Sequence, residues 1–557
     1  MIACCSLKTR LSLKNVGLIP ILIAEDAVRS RIHRHGRALR IVVAWVAVIA
    51  MTAVVIAGAG CAGPGPRLLP EPMRIETSGC DSSASNDPLH GNDPLQQNGR
   101  LVWYDTNRDG KADYAERLGP DGRIIGLRYM TADGCEEIDL QAIPAEGKRD
   151  LVLILDSVPF DLVQEAWDAG SFRFFPRPSR VIAPFPVMTD VSLIDFFHLT
   201  PGIAIEADYY DGKCKTEPYD LYLREVVSTW HSKVDYYLPH KSHSTAYFMD
   251  QMQSFNQELR AIQDGFEQST TPIYIGYCVG TSALGAFHGW QGHREGLAQV
   301  DRFCRAIMYH THGRVRITMF SDHGHNSVGA SQRIPLRNIL RQWHYHVGSM
   351  LKNPMDVIVP EFAMVSCAAM YTQSPKPFAE AVLKIENVEL SAYSESGNDR
   401  EPGGSVVVES CNGKARIHRS AAGYRYEMIT GDPLYLRPIL EDLQAEGKMC
   451  PAGFVPDDVL LAATQQHVFP DAVDRIWRAF YEQFQHPPDV LLTTLEGHHC
   501  GSEFQTWAVG KLQSVHGNLR PISTFGFVIS TAGELPPILR MRDLSTTLVK
   551  MGIKVLR

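Results

Sequence analysis

From residue 150 onward, the sequence contains short, uninterrupted apolar runs that end in turn residues. The clearest are LVLILD (151–156), PIYIGYC (272–278), RVRITMF (314–320), DVLLTT (489–494) and FGFVIS (525–530). Continuous apolar strands are buried on both faces, as in a parallel sheet that is covered by helices. The pattern therefore predicts an α/β fold, a three-layer α/β/α sandwich with a mostly parallel central sheet.

The composition is that of an ordinary globular protein. The 557-residue chain is 45% hydrophobic and 21% charged, which argues against a disordered or fibrous polypeptide. The formal net charge is −8 at pH 7, and the part of the chain after residue 60 is more acidic still. Because contacts to phosphate backbones need a basic face, no nucleic-acid binding is expected.

A basic stretch (29–40), an uncharged apolar run (41–60) and Cys61 follow one another near the N-terminus. This order is typical of a secretory signal. The end of the run resembles a bacterial lipoprotein cleavage site with Cys61 as the lipidated residue. The alternative is a single uncleaved helix, because about 20 apolar residues can span a bilayer. Both alternatives predict an extracytoplasmic, membrane-anchored body, either in the periplasm or on the cell surface.

Shifts in composition divide the chain into six predicted segments. Residues 62–98 are rich in Pro, Gly, Ser, Asn and Asp, which is typical of a flexible linker. The six segments are a signal or lipoprotein anchor (1–61), this linker (62–98), a small β module (99–147), the first part of the α/β core (148–361), a small α+β insertion (362–435) and the second part of the core (436–557).

The small β module carries a possible calcium loop. Asp105, Asn107, Asp109, Asp113 and Glu116 match positions 1, 3, 5, 9 and 12 of an EF-hand loop. The neighbouring segments LVWY and RIIGLRY look like strands, whereas an EF-hand requires helices. A calcium-stabilised β-hairpin and an Asp/Gly-rich turn without metal therefore both remain open.

Polar side chains lie at the ends of predicted strands, where open α/β sheets bind ligands. Asp156 ends LVLILD, Asp322 and His323 follow RVRITMF, Thr189 lies in the loop after a predicted strand, and His516 precedes FGFVIS. Each residue alone is better explained as a cap or loop residue. Together, carboxylates and imidazoles beside a hydroxyl indicate a divalent-cation site with a nucleophile at its edge. Such a cation would lower the pKa of the Thr189 hydroxyl and stabilise charge on a phosphoryl group.

These motifs, in this order, resemble the alkaline phosphatase superfamily, and its type I phosphodiesterase/nucleotide pyrophosphatase-like branch most of all. The resemblance is carried by Asp156 after an apolar strand, by the segment from Pro186 to Thr189, by SDHG (321–324) and by the tail from SVHGNLRP onward. It covers residues 148–557. It implies a metal-dependent hydrolase of phosphate mono- or diesters, with a small-molecule ester as substrate and a Thr-phosphoryl intermediate.

Members of this superfamily use two divalent metals, commonly zinc. By position, Asp156, Thr189, Asp322 and His323 correspond to the site that activates the nucleophile, which is Thr189. His516 corresponds to the histidine of the second site. Zinc is the expected ion, with manganese and calcium as alternatives for this set of ligands.

The second site departs from the family pattern. Its other two ligands come from an Asp-x-x-Gly-His motif, and here Ser282 and Ala286 stand in the ligand positions. Three protein ligands are the usual minimum for a catalytic zinc. The chain is therefore a one-metal hydrolase with a slow second step, a hydrolase with a rebuilt second site, or a lapsed enzyme that binds an anionic ligand at the cell surface. The histidines that offer a rebuilt site are His240, His243, His288 and His293.

Overall fold

The computed structural model describes residues 65–73, 100–131, 134–243, 247, 250–361, 363–395 and 404–556. The predicted anchor with Cys61 and most of the predicted linker lie outside these residues. Within the described part of the chain, no helix is both long and apolar enough to cross a membrane. The described residues belong to the compact unit that spans Gly63–Arg557.

The described residues form twenty strands and thirteen α-helices. The strands are β1 (Leu101–Tyr104), β2 (Tyr114–Leu118), β3 (Ile124–Thr131), β4 (Gly134–Asp139), β5 (Arg149–Leu155), β6 (Ser179–Ile182), β7 (Ile273–Cys278), β8 (Val315–Phe320), β9 (Gln332–Arg333), β10 (His346–Val347), β11 (Asp356–Ile358), β12 (Cys367–Thr372), β13 (Val388–Ser394), β14 (Ser405–Ser410), β15 (Gly413–Ser420), β16 (Gly423–Gly431), β17 (Val490–Thr494), β18 (His498–His499), β19 (Phe525–Ser530) and β20 (Ile538–Arg540). The helices are α1 (Phe160–Asp168), α2 (Thr189–Phe196), α3 (Pro218–Leu223), α4 (Gln251–Gln268), α5 (Gly280–His310), α6 (Leu336–Gln342), α7 (Pro375–Val382), α8 (Arg437–Ala445), α9 (Asp457–Thr464), α10 (Ala472–Tyr481), α11 (Glu503–Val509), α12 (Pro521–Thr524) and α13 (Met541–Lys550).

The central sheet has six strands in the order β20-β6-β19-β8-β5-β7. Strand β5 lies parallel to both β7 and β8, and β6 lies parallel to β20. Of these six strands, β19 alone runs in the opposite direction, and it pairs antiparallel with β6 and β8. The predicted, mostly parallel sheet is confirmed, although FGFVIS forms its one antiparallel strand.

Helices cover both faces of the central sheet. Leu151 and Leu153 of β5 share a core with α1, α4 and α5, whereas Val152 and Ile154 share a core with α2 and α13. Successive residues of a strand point to opposite faces, so burial on both faces requires an apolar residue at every position. The three-layer α/β/α sandwich is therefore confirmed.

A second sheet has eight strands in the order β10-β11-β12-β17-β13-β14-β15-β16. It takes β12 to β16 from the predicted insertion, and β10, β11 and β17 from outside it. DVLLTT forms β17, which pairs antiparallel with β12 and β13, so its assignment to the parallel sheet is wrong. Leu491 nevertheless packs in a core with α10, and Val490 and Leu492 pack in a core with α7. An apolar run indicates only that both faces of a strand are buried. Parallel strands and covered antiparallel strands are both buried in this way.

Strand β16 forms one edge of this second sheet. It pairs antiparallel with β15, and a register shift between Lys414 and Ala415 interrupts the pairing. At the start of β16, Tyr424 also forms a bridge with Val455.

The N-terminal β module is an antiparallel meander of β1 to β4. It packs against the C-terminal end of α5. The ring of Tyr114 lies 4.9 Å from that of Tyr309, centroid to centroid, and the Tyr129 hydroxyl donates a 2.7 Å hydrogen bond to the Tyr309 carbonyl oxygen.

The side chains of the predicted calcium loop do not all face one point. Asp105, Asp109 and Asp113 accept hydrogen bonds from backbone N–H groups of the loop between β1 and β2. Glu116 lies on β2 and is fully buried, and its carboxylate binds Arg305 of α5. Glu116 is therefore not positioned as a calcium ligand, because it is an inward-facing strand residue.

Candidate active site

Two strand ends and the start of one helix meet at the carboxyl edge of the central sheet. Asp156 follows β5, Asp322 and His323 follow β8, and Thr189 is the first residue of α2. The Thr189 hydroxyl oxygen lies 3.5 Å from Oδ1 of Asp156 and 3.3 Å from Nε2 of His323. The structure thus brings together the four residues that the sequence assigns to nucleophile activation.

Asp156, Asp322 and His323 form a compact group that could hold one cation. All three are buried, and one ligand atom of each lies within 4.8 Å of the others. Among the residues that the structure describes, no other group of three or more His, Cys, Asp or Glu side chains meets this condition. The acidic residues of the predicted calcium loop are among those that do not.

The unpaired atoms of this group fit a zinc-type ion. His323 donates its Nδ1–H to the carbonyl oxygen of Gly324 (2.9 Å), so Nε2 keeps its lone pair and faces the site. Oδ2 of Asp322 lies 3.3 Å from that nitrogen, is buried and accepts no hydrogen bond. A buried carboxylate oxygen without a partner is costly unless a cation binds it. The donor set therefore suits one divalent cation.

Burial favours the protonated form of the two carboxyl groups. Together with the neighbouring Asp322 carboxylate, it raises the pKa of Asp156 to about 7. It raises the pKa of Asp322 to about 6, although backbone N–H groups oppose the shift. Burial also lowers the pKa of His323, which keeps the imidazole neutral. A bound cation would replace the protons, because it supplies the positive charge that the interior otherwise lacks.

Neighbouring side chains hold Asp156 in place. The Tyr277 hydroxyl donates to its Oδ2 (2.5 Å), and the Ser157 hydroxyl donates to its Oδ1 (2.6 Å). The backbone N–H of Ser157 also donates to Oδ1 of Asp322 (3.0 Å). Ser157 adopts φ +62°, a left-handed conformation that is rare for a residue other than glycine. No sequence motif marked Ser157 or Tyr277, since their roles depend on how β5 and β7 sit side by side.

His516 lies against this group without joining it. Its Nδ1–H donates to the carbonyl oxygen of Val187 (2.8 Å), which leaves Nε2 with a lone pair. The ring stacks on His323 with a centroid separation of 4.2 Å. Burial lowers the pKa of His516 to about 3, so the ring is neutral.

The residues that replace the expected second-site ligands do not fit a second cation. The Ser282 hydroxyl lies 3.3 Å from that of Ser157 and 3.2 Å from that of Tyr247. Ala286 lies in a small apolar cluster with Leu512 and Val515. This region therefore offers hydroxyl and methyl groups where a zinc ion would need a carboxylate and an imidazole.

Of the four histidines considered for a rebuilt site, only His293 contacts a histidine that lies next to His516. A kink at Gly289 (φ +60°) in α5 precedes His293, and its Nε2 lies 3.2 Å from Nδ1 of His325. His325 in turn lies edge-on to His516, with centroids 5.7 Å apart. The sequence reasoning missed His325, although it stands two residues after His323 in SDHGH. Within the described residues, His293, His325 and His516 do not form a metal-binding group by the distance condition given above.

The other three histidines bind elsewhere. His240 stacks on Tyr222 with centroids 4.1 Å apart, and His243 shares a 2.8 Å hydrogen bond with the Tyr222 hydroxyl. His288 contacts Gln251 on the exposed side of α5. They do not supply ligands to the group of Asp156, Asp322 and His323.

Comparisons with known proteins return similarity in structure alone. No family model matches the chain, and no curated protein matches it. Human ectonucleotide pyrophosphatase/phosphodiesterase 5 aligns at 10% identity and a TM-score of 0.40, over 73% of this chain and 95% of that one. Phosphonoacetate hydrolase from Sinorhizobium meliloti, solved with phosphonoacetate, aligns at 12% identity and a TM-score of 0.40, over 76% of this chain and 98% of that one.

The murine ectonucleotide pyrophosphatase/phosphodiesterase 5, solved in an inactive form with AMP, aligns at 13% identity and a TM-score of 0.39, over 72% of this chain and 94% of that one. Similarity at this level assigns no function to the chain.

Proposed function

We propose that the protein is a metal-dependent hydrolase of phosphate mono- or diesters, with Thr189 as nucleophile and one fully formed cation site. The observation that carries the proposal is the position of the Thr189 hydroxyl, 3.3 Å from Nε2 of His323, beside a buried carboxylate oxygen of Asp322 that lacks a partner. A small-molecule phosphate-type ester is the proposed substrate.

Asp156, Asp322 and His323 would hold the cation, and zinc fits these ligands. Such an ion would lower the pKa of the Thr189 hydroxyl and stabilise negative charge on the phosphoryl oxygens. Thr189 is the first residue of α2, so a phosphoryl group at its hydroxyl would also face the positive end of the helix dipole.

In the first step, the Thr189 hydroxyl loses its proton to solvent and its oxygen forms a bond to phosphorus. The bond from phosphorus to the leaving-group oxygen breaks, and that oxygen takes up a proton from solvent. In the second step, water displaces Thr189 from phosphorus. His516 is neutral, has a free Nε2 and lies beside His323, which supports a role in contacting the phosphoryl group or in taking a proton from that water. With Ser282 and Ala286 in place of ligands, this second step should be the slow one.

The same departure supports a second candidate function. A protein that keeps the first cation site but lacks two second-site ligands suits a lapsed enzyme, which binds an anionic ligand without turnover. In both cases, the N-terminal sequence supports the proposal of an extracytoplasmic protein, anchored through Cys61 or through a single helix.

Metal content and turnover together test the proposal. Full-length wild type and Asp322→Ala, purified in mild detergent, would be loaded with zinc, dialysed and measured by elemental mass spectrometry. Both would then be assayed with p-nitrophenyl phosphate and bis-p-nitrophenyl phosphate. We expect about one zinc per wild-type chain, and loss of both zinc and turnover in the variant.

Asp161→Ala is the matched control, because Asp161 is exposed on α1. It should leave zinc content and turnover unchanged. Zinc without turnover in the wild type would favour the lapsed enzyme, and a wild type that binds no zinc would overturn the cation site.

A further inference from the structure

Trp230 is the largest fully buried side chain among the residues that the structure describes, with 1% of its surface exposed. It lies in a short 3₁₀ turn (Thr229–Lys233) within the segment that connects α2 to α4. Its ring shares a core with Val152 of β5 and Leu193 of α2. A phenylalanine would also supply apolar packing, so the indole N–H is the part of this side chain that calls for an explanation.

The indole N–H of Trp230 binds the residue that follows the proposed nucleophile. Nε1 donates to Oδ1 of Asp190 across 2.7 Å, which is short for an N–H···O hydrogen bond. The direction of this bond is fixed, because an indole nitrogen can donate but not accept. Asp190 follows Thr189 and lies in the first turn of α2. Trp230 therefore holds the start of the helix to which Thr189 belongs.

The ring of the same indole meets a residue that supports the proposed cation site. Trp230 and Tyr277 of β7 make an edge-to-face contact, with ring centroids 4.8 Å apart and ring planes inclined at 67°. This is one of the arrangements that aromatic pairs favour. The Tyr277 hydroxyl donates to Oδ2 of Asp156 (2.5 Å). One indole thus touches both the first turn of α2 and the tyrosine that orients a proposed cation ligand.

Attack on phosphorus depends on how these two parts of the site are placed relative to each other. The Thr189 hydroxyl oxygen lies 3.5 Å from Oδ1 of Asp156. Thr189 begins α2, whereas Asp156 follows β5, so neither element alone sets this distance. A displacement of about 1 Å in a reacting group can cost about 10²-fold in rate. A buried aromatic ring that contacts both parts can fix that distance.

We propose that Trp230 is a positioning residue, which acts through Asp190 and Tyr277 to hold the Thr189 hydroxyl in place beside the cation site. The inference rests on the proposed role of Thr189 as nucleophile. Asp190 is only partly buried, so water can bind its carboxylate when the indole N–H is removed. The loss of this hydrogen bond should therefore cost little stability, while the start of α2 becomes less constrained.

The first turnover of bis-p-nitrophenyl phosphate by full-length, zinc-loaded protein tests this inference. The burst of p-nitrophenolate in stopped flow measures attack by Thr189, whereas the steady-state rate measures the slower second step. We expect Trp230→Phe, which keeps an aromatic ring but removes the N–H, to slow the burst by about 10- to 100-fold. Zinc content should equal that of wild type, and the steady-state rate should fall less than the burst rate. If the wild type shows no burst, attack limits turnover, and the same loss is expected in the steady-state rate.

Variants of Asp190 show whether the hydrogen bond carries the effect. Asp190→Asn keeps an oxygen that can accept from the indole, so its burst rate should stay within about 3-fold of wild type. Asp190→Ala removes the acceptor and should slow the burst as Trp230→Phe does. The double variant Trp230→Phe/Asp190→Ala should lose no more than either single variant, because all three break the same bond.

Trp477→Phe is the matched control. Trp477 is buried in the core of the second sheet, and its indole N–H donates to the carbonyl oxygen of Gly404 (2.9 Å). Its replacement removes the same kind of hydrogen bond and should leave the burst and the steady-state rate unchanged.

Two results would overturn the inference and leave the proposed hydrolase in place. One is a wild-type rate of attack in Trp230→Phe, and the other is losses that multiply in the double variant, since independent effects would mean that the bond is not shared. A wild type that binds zinc without turnover would overturn the proposed nucleophile, and the inference with it.

Discussion

Thr189 is the residue on which the proposed chemistry depends. Its hydroxyl is within hydrogen-bonding distance of two proposed cation ligands, and it begins a helix whose remaining residues are largely buried. A threonine in such a position has no need of a hydroxyl for packing, so its removal should change chemistry more than stability.

We expect Thr189→Ala to lower turnover of bis-p-nitrophenyl phosphate by at least about 10³-fold, because no other hydroxyl would be equally placed for attack. Zinc content should persist, since the three proposed ligands Asp156, Asp322 and His323 remain. Thr189→Ser should lose far less activity. Steady-state rates and elemental analysis measure both effects, and an alanine variant with wild-type turnover would show that another group attacks phosphorus.

For single residues, the sequence predicted the site residues that stand next to a recognisable motif in the chain. Asp156, Asp322 and His323 each follow an apolar strand, and the structure groups them. Ser157 and Tyr277 carry no such mark, because their contacts depend on the conformation of one residue and the register of two strands. His325 was visible in SDHGH but needed the kink in α5 to gain its partner, His293.

Helix α5 has a different structural role at its start, in its middle and at its end. Its start lies against Glu258 of α4, whose carboxylate accepts the N–H of Val279 (3.2 Å) and that of Gly280 (2.6 Å). Its middle changes direction at Gly289, and its last turns support the N-terminal β module. The sequence does not indicate the extent of α5, because glycines are frequent in its first half.

The kink at Gly289 should be sensitive to a side chain. An alanine there would have to adopt a backbone φ of +60°, and its Cβ atom would lie 3.1 Å from the Ser327 hydroxyl oxygen. We expect Gly289→Ala to lower the free energy of unfolding by about 1–2 kcal/mol, as measured by urea denaturation. Gly348→Ala is the control, since a Cβ at that exposed position meets nothing within 4 Å. Equal effects of the two substitutions would contradict this explanation.

Glu258 should make stability depend on pH. Burial raises the pKa of Glu258 to about 8, despite the two N–H groups that favour the charged form. Between the ordinary glutamate pKa and about 8, the folded chain holds a proton that the unfolded chain has lost. This contribution to stability is complete at low pH and is lost as the pH rises through about 8.

The measurement is urea denaturation of wild type and Glu258→Gln at several pH values from 4 to 9. A glutamine cannot titrate, so the difference in free energy of unfolding should change by up to about 1.4 kcal/mol per pH unit in that interval. Parallel curves for the two proteins would show that the pKa of Glu258 is the same in the folded and the unfolded chain.

Over the whole molecule, the two large sheets are joined by buried charges. Helix α10 packs on the second sheet, and its Arg478 forms a bidentate salt bridge with Asp195 of α2. Nη2 donates to Oδ1 (2.6 Å) and Nη1 donates to Oδ2 (3.1 Å). Both side chains are less than a tenth exposed. The helix that begins with Thr189 is thereby fixed to the second sheet. No apolar pattern in the sequence indicates such a pair.

We expect Arg478→Met to lower the free energy of unfolding by about 3–5 kcal/mol, because it leaves Asp195 buried and unpaired. The double variant Asp195→Leu/Arg478→Met should recover much of that loss, which a denaturation cycle would measure. Arg224→Met, which breaks an exposed pair with Asp220, should cost less than about 1 kcal/mol. Additive effects of the two buried substitutions would contradict the pairing argument.

The overall architecture was the most predictable level. Continuous apolar runs predicted a covered, mostly parallel sheet, because burial on both faces leaves a direct trace in the sequence. Strand direction leaves no such trace. The apolar runs of β17 and β19 therefore predicted parallel strands, whereas both strands pair antiparallel with their neighbours. The second sheet also gathers strands from about 150 residues of chain (346–494), a distance over which local patterns carry no information about pairing.

The edge strand β16 bears on how the molecule behaves at high concentration. An uncovered edge is a template on which another chain can add a strand and start a fibre. Here the edge is interrupted by a shifted register, closed at its start by the bridge from Tyr424 to Val455, and flanked by the charged side chains of Arg425 and Glu427. A molecule with its edge blunted in these ways should resist stacking into aggregates when it is crowded against its own copies.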